Sequence, residues 1–132
     1  MSIKLTDSEW KIMNLLWNCA ENNSSSEERG LTIKEIMVAL YQNTAWSRHT
    51  IISFLKRLEA KNAVYFKRKN NVKVYYPSLD RNTAVIQDTK ELLDKVYAGS
   101  FTRMVTTFAK AEELDADEIA ELEELVKKLR NQ

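Results

Sequence analysis

The chain has 132 residues, 44% of them hydrophobic, and a formal net charge of +1, which suits one domain, or a small domain with an appendage, with enough apolar surface for a core. Two Gly and one Pro disfavour a turn-rich all-β fold, and the single cysteine, Cys19, excludes an internal disulfide and a cysteine-rich metal cluster. No apolar run approaches the roughly 20 residues that span a bilayer, and the N-terminal MSIKLTDSEW has no signal-like apolar stretch, so the expectation is a cytoplasmic protein with no membrane partner.

The first helix is expected to open at Thr6. Thr6 and Glu9 have capping-box spacing, in which each side chain satisfies a backbone donor of the other. Trp10, Met13, Leu16 and Trp17 then form an apolar stripe, widened by Ile12 and Leu15. Cys19 lies in this helix, where its expected role is packing. Residues 21–30 (ENNSSSEERG) are polar and serine-rich and read as a flexible loop. A second capping box, Thr32 with Glu35, starts the second helix, with Ile33, Ile36, Met37 and Leu40 as its buried positions.

The third helix is expected over residues 47–61. Ser47 is a suitable N-cap. Ile51, Phe54, Leu55 and Leu58 share one face at helical spacing, so His49, Ser53, Lys56 and Ala60 point the other way, flanked by Thr50, Ile52 and Arg57. Asn62 tolerates the left-handed conformation that ends many helices. Two strands follow, Val64 with Tyr65 and Phe66, then residues 72–76. Lys67, Arg68, Lys69, Asn70 and Asn71 lie between them, and Asn-Asn can make a tight hairpin turn. Pro77 stops the second strand.

Three helices followed by a two-stranded wing is the layout of a winged helix-turn-helix. Residues 31–78 carry nine Lys and Arg against two acids, a local balance of +7 in a chain of +1. Charge runs are usually solvated faces. Here the concentration makes an electrostatic footprint for nucleic acid the stronger reading. Short polar side chains at the start of the third helix can approach base edges, and the basic hairpin can hold phosphate.

Residues 79–132 reverse the charge, with eight basic and twelve acidic residues. A long helical pattern is expected over 81–109, kinked at Gly99, and a last helix follows Asp115 and Glu118. Their apolar positions need a partner. Folding back on the N-terminal domain and pairing with a second copy are both open, and dimerisation is favoured because a winged helix is self-sufficient. The expected organisation is thus a winged-helix domain over 1–78 and a helical dimerisation region over 79–132. No catalytic constellation is present. His49 is the one histidine, and there is no Gly-rich phosphate loop, so neither an enzyme nor a metal or other cofactor is expected.

The motifs resemble those of the penicillinase-repressor family, the BlaI, MecI and CopY type of transcriptional regulator. The resemblance rests on Leu5-Thr6-Asp7-Ser8-Glu9-Trp10 with Ile12-Met13 and Leu16-Trp17, and on Trp46-Ser47 before Thr50-Ile51. Leu55-Lys56-Arg57-Leu58, Tyr75-Tyr76-Pro77 and the run from Lys95 through Gly99-Ser100-Phe101 complete it. It implies a homodimer that binds double-stranded palindromic operator DNA and represses transcription. It also implies release, in the antibiotic-resistance branch, when a sensor-protease system leads to cleavage in the dimerisation region. That cut maps to Ser100-Phe101, with Ser100 where the resistance members have Asn. The C-terminal Cys-x-Cys motifs of the copper branch have no counterpart here. The DNA-contact residues expected are Ser47, Arg48, His49, Thr50, Ser53 and Arg57 on the helix, and Lys67, Arg68, Lys69 and Lys73 on the wing. Arg57 has two readings, a phosphate ligand or the partner of an acid such as Glu59. The competing reading of the whole chain is a winged-helix protein-interaction module without specific DNA binding.

Overall fold

A computed structural model describes residues 3–22 and 29–132. Most of the serine-rich loop expected over 21–30 lies outside the described residues. The chain divides into two compact units, residues 1–87 and 88–132.

The first unit contains α1 (Asp7–Glu21), β1 (Leu31–Thr32), α2 (Ile33–Thr44), α3 (Arg48–Ala60), β2 (Val64–Lys69), β3 (Val72–Pro77) and the start of α4 (Arg81–Tyr97). Both capping boxes form: the Glu9 N–H donates to Thr6 Oγ1 and the Glu35 N–H to Thr32 Oγ1, while each glutamate accepts the N–H of its threonine. The sheet has three strands in the order β1-β3-β2, all antiparallel. The third strand is an addition to the two-stranded wing, with Leu31 opposite Tyr75 and Thr32 opposite Val74.

The core joins all three helices to the sheet. Ile12, Met13 and Leu16 of α1, Ile36 of α2, and Ile51, Leu55 and Leu58 of α3 are completely buried. Trp10, Leu15, Ile33, Met37 and Phe54 are only partly buried around it. Phe54 is therefore only partly covered where a buried position was expected. Trp17 Nε1 donates to the Leu79 carbonyl at 2.9 Å, which fastens the chain after β3 to α1. Arg81 continues the fastening, with an ion pair to Glu21, a hydrogen bond to Asn18 and its guanidinium over the Trp17 ring.

Gly30 leads into β1 where no side chain fits. A Cβ there would stand 2.4 Å from the Tyr75 carbonyl oxygen and 2.8 Å from the Tyr76 ring. Gly30→Ala is expected to push β1 off β3 and lower stability by about 1–3 kcal/mol, the usual range for overpacking. Thermal unfolding measures this; an unchanged Tm would mean the strand is not seated as described.

In the second unit the remainder of α4 is followed by α5 (Phe101–Lys110) and α6 (Ala116–Arg130). The single kinked helix expected over 81–109 is two helices. The Gly99 N–H reaches back six positions to the Leu93 carbonyl at 2.8 Å, which closes the end of α4. Ala98 and Gly99 both take positive φ, 50° and 81°. Ser100 then caps α5 by accepting the Arg103 N–H, and Asp115 caps α6 by accepting that of Glu118. Apolar spacing runs straight through the junction, so periodicity alone could not reveal the break. α5 and α6 bury no residue completely. Leu92, Val96, Phe101, Phe108, Ile119, Leu125, Val126 and Leu129 are all about half exposed.

Candidate nucleic-acid interface

The outer face of α3 is open and polar. Ser47 takes an extended conformation and its Oγ accepts the Thr50 N–H at 3.2 Å, so the helix starts where the expected cap stands. Ser47 Oγ and Thr50 Oγ1 share a further hydrogen bond of 3.0 Å. These two hydroxyls thus spend part of their capacity on each other. Arg48, His49 and Ser53 are exposed and follow the same surface, with Thr50 half-buried beside them and Lys56 one turn further on. Lys56 shares the exposed face although it is outside the expected contact set. The N-terminal end of α3 carries the positive end of the helix dipole, which favours an anion there.

Arg57 does not pair with Glu59. Its guanidinium carbon lies 5.6 Å from the centroid of the Phe54 ring, and among the described residues it forms no ion pair. The charge of Glu59 acts instead on Tyr75 of β3. Burial pushes the Tyr75 phenol above its ordinary range, and the charge of Glu59 and the hydrogen bond to it add to the shift. The phenol stays neutral.

The wing turns at Asn70 and Asn71, both left-handed, as a tight two-residue hairpin demands. Its register places Arg68 opposite Lys73, Lys67 opposite Val74 and Lys69 opposite Val72. Side chains alternate along a strand, so the four wing cations do not share one face. Arg68 and Lys73 stand on the face of Phe66 and Tyr75, toward α3. Lys67 and Lys69 stand on the other, over the ring of Tyr76 at 5.3 and 5.6 Å. Like charges directly opposite each other destabilise a hairpin. Residues 64–77 contain no acid to offset the Arg68 and Lys73 pair. Among the described residues neither Arg68 nor Lys73 forms an ion pair, and a surface that holds two such cations together is suited to an anionic ligand.

One basic residue leaves the footprint. Lys61, at the end of α3, turns inward: its Nζ donates to the Lys4 carbonyl at 2.8 Å and to Glu9 Oε1 at 2.5 Å. The charge tally of residues 31–78 counts it, but its role is structural. Among the described residues no group of three or more His, Cys, Asp or Glu could hold a metal ion, and no helix is long and apolar enough to cross a membrane.

This arrangement, an exposed polar helix face beside a basic hairpin, is that of a winged helix built to meet a polyanion. The sequence model of the family described as "Penicillinase repressor" matches residues 5–128. The chain belongs to the penicillinase repressor family. Among individual members, the methicillin resistance regulatory protein MecI of Staphylococcus aureus strain N315 is 26% identical over 125 residues, 95% of this chain and 94% of that protein. The penicillinase repressor of Bacillus licheniformis is 26% identical over 128 residues, 97% of this chain and 93% of that protein. The solution structure of the DNA-binding domain of the repressor BlaI aligns with a TM-score of 0.50 at 25% identity, covering 61% of this chain and 88% of that one. The fold of this family member is therefore a winged helix, and as a member of that family it is a DNA-binding repressor of transcription.

Proposed function

We propose that the protein represses transcription as a homodimer bound to a palindromic operator, with the first unit reading DNA and residues beyond it holding two copies together. The observation that carries this reading is the exposed N-terminal half of α3 beside the Arg68 and Lys73 pair, in a chain whose family is one of repressors. α3 enters the major groove. Arg48, His49 and Ser53 meet base edges or phosphate, and Ser47 and Thr50 stand at the helix start. The wing cations Lys67, Arg68, Lys69 and Lys73 engage the backbone, with Arg57 on the flank. The apolar residues left half exposed in the second unit support pairing with a second copy, since a two-fold dimer presents the same patch on both chains. The protein then acts as a binding protein in the cytoplasm, not as an enzyme.

Release by cleavage between Ser100 and Phe101 fits the junction of α4 and α5. Three residues there lie outside helix, two in the left-handed region, and Phe101 is 56% exposed. A sensor-protease system of the antibiotic-resistance type is the partner this implies.

Light scattering, combined with sequencing of genomic fragments that the protein retains, tests the reading. A dimer that enriches one palindrome is expected. A monomer that ignores duplex DNA at low salt would instead point to a protein-interaction module. The two classes of contact separate by salt. Arg68→Ala is expected to weaken all sequences alike and to lower the slope of log K against log salt by about 1. Ser53→Ala is expected to change sequence preference and leave that slope in place. Equal slopes for Arg68→Ala and the parent would remove the wing from the interface.

A further inference from the structure

The basic surface is laid on aromatic rings. Arg57 lies over Phe54, and Lys73 lies over Phe66 with its Nζ 4.4 Å from the ring centroid. Neither ring floats free. Phe54 meets Trp46 edge-on at 4.9 Å, and Phe66 meets Tyr75 at 5.7 Å, so each is braced by a neighbour packed on or within the core. Arg57 is exposed and Lys73 only partly covered. Glu9 pairs with Lys61, and among the described residues neither Arg57 nor Lys73 forms an ion pair with a carboxylate. These two cations are thus held by rings and not by carboxylates.

The difference has a consequence for anion binding. A carboxylate occupies the donors of the cation it holds, and a phosphate must displace it. A ring takes one face of a guanidinium or ammonium and leaves N–H donors pointing away from it. It also limits the rotamers of a long side chain, so less entropy is lost when phosphate binds.

We propose that Phe54 and Phe66 are positioning residues for DNA binding: each holds a cation, Arg57 or Lys73, in place with its donors open to a phosphate of the backbone. Neither ring touches the nucleic acid itself. The inference rests on the proposed DNA-binding role of this surface.

A double-mutant cycle on the full-length protein tests it, read as affinity for its selected operator duplex. Phe54→Leu keeps an apolar side chain of similar reach but removes the ring. It is expected to weaken binding about three-fold, the scale of an exposed cation–π contact. Phe54→Tyr keeps a ring and is expected to bind as the parent does. In an Arg57→Ala background, Phe54→Leu is expected to have no further effect. The same pattern is expected for Phe66→Leu against Lys73→Ala. A full three-fold loss from Phe54→Leu without the Arg57 side chain would overturn the proposal, because the ring would then act through packing. So would unaltered binding by both leucine variants, provided their thermal unfolding is near that of the parent. A parent protein that binds no duplex at all would contradict the DNA-binding reading itself and is recognised before any variant is made.

Discussion

Truncation after Gly99 is expected to lower affinity for a two-fold operator by about 10²- to 10⁴-fold while leaving the fold of the DNA-binding unit intact. Linking two binding modules makes the second contact intramolecular, and a gain of that size is lost when the link is cut. The fold survives because the buried core ends early. Its last buried apolar residue is Ala84, and no residue of α5 or α6 is completely buried. α4 keeps its first turns on the first unit, where Gln87 Nε2 donates to the Ile3 carbonyl. The truncated chain should therefore unfold cooperatively, run as a monomer and bind a single half-site with the weak affinity of one module. Titration of whole and half operators, with sizing of both chains, measures this. Equal affinity of the two chains for the full operator would mean that the C-terminal helices do not join two copies. Cleavage of the Ser100-Phe101 bond would produce the same separation, apart from Ser100, which would stay on the N-terminal fragment.

How far the sequence carried the reading depends on the kind of signal each feature sends. Helix starts were legible because capping is local: Thr6, Thr32, Ser47 and Asp115 each cap within three residues of themselves. The turns at Asn62 and at Asn70-Asn71 were legible for the same reason, since Asn accepts positive φ. β1 was not, because two residues show no period and their place is decided by β3, more than forty positions away. Lys61 read as part of a basic patch, since its partner Glu9 is 52 residues earlier. The division of the wing cations between two faces could have been found by counting: two residues at the turn put Arg68 and Lys73 on one side and Lys67 and Lys69 on the other. The cation–ring contact of Arg57 with Phe54 lies at helical i,i+3 spacing and was also within reach. That of Lys73 with Phe66 required the hairpin register.

The largest stability change expected from one substitution is at Lys61, through its partner Glu9. Glu9 is completely buried, its Oε1 accepts from the Thr6 N–H and Lys61 Nζ, and its Oε2 has no hydrogen-bond partner. Burial alone would push its carboxyl upward. The hydrogen bond from Lys61, the Thr6 N–H and the Lys61 charge outweigh burial and hold it below its ordinary 4.5. A depressed carboxyl contributes stability that is present above its unfolded value and lost as pH falls through its folded one. Lys61→Met is expected to reverse that sign. Burial, the largest single influence, is then opposed only by the hydrogen bonds of Thr6, so the folded value is expected to rise above the unfolded one and the penalty to grow as pH rises past the unfolded value. Removing one partner of a buried pair costs about 3–5 kcal/mol; Lys61 is partly solvated, so the lower end, about 3 kcal/mol, is expected at pH 7. At pH 4, where the parent's own contribution is fading and Glu9 of the variant is protonated, the gap should narrow. Glu9→Gln added to Lys61→Met should recover much of the loss, because Gln also completes the capping box and carries no charge into the core. Urea unfolding of the parent and both variants at the two pH values decides it. A Lys61→Met deficit of the same size at pH 4 and pH 7 would show that lost packing of the lysine stem, and not the stranded carboxylate, sets the cost.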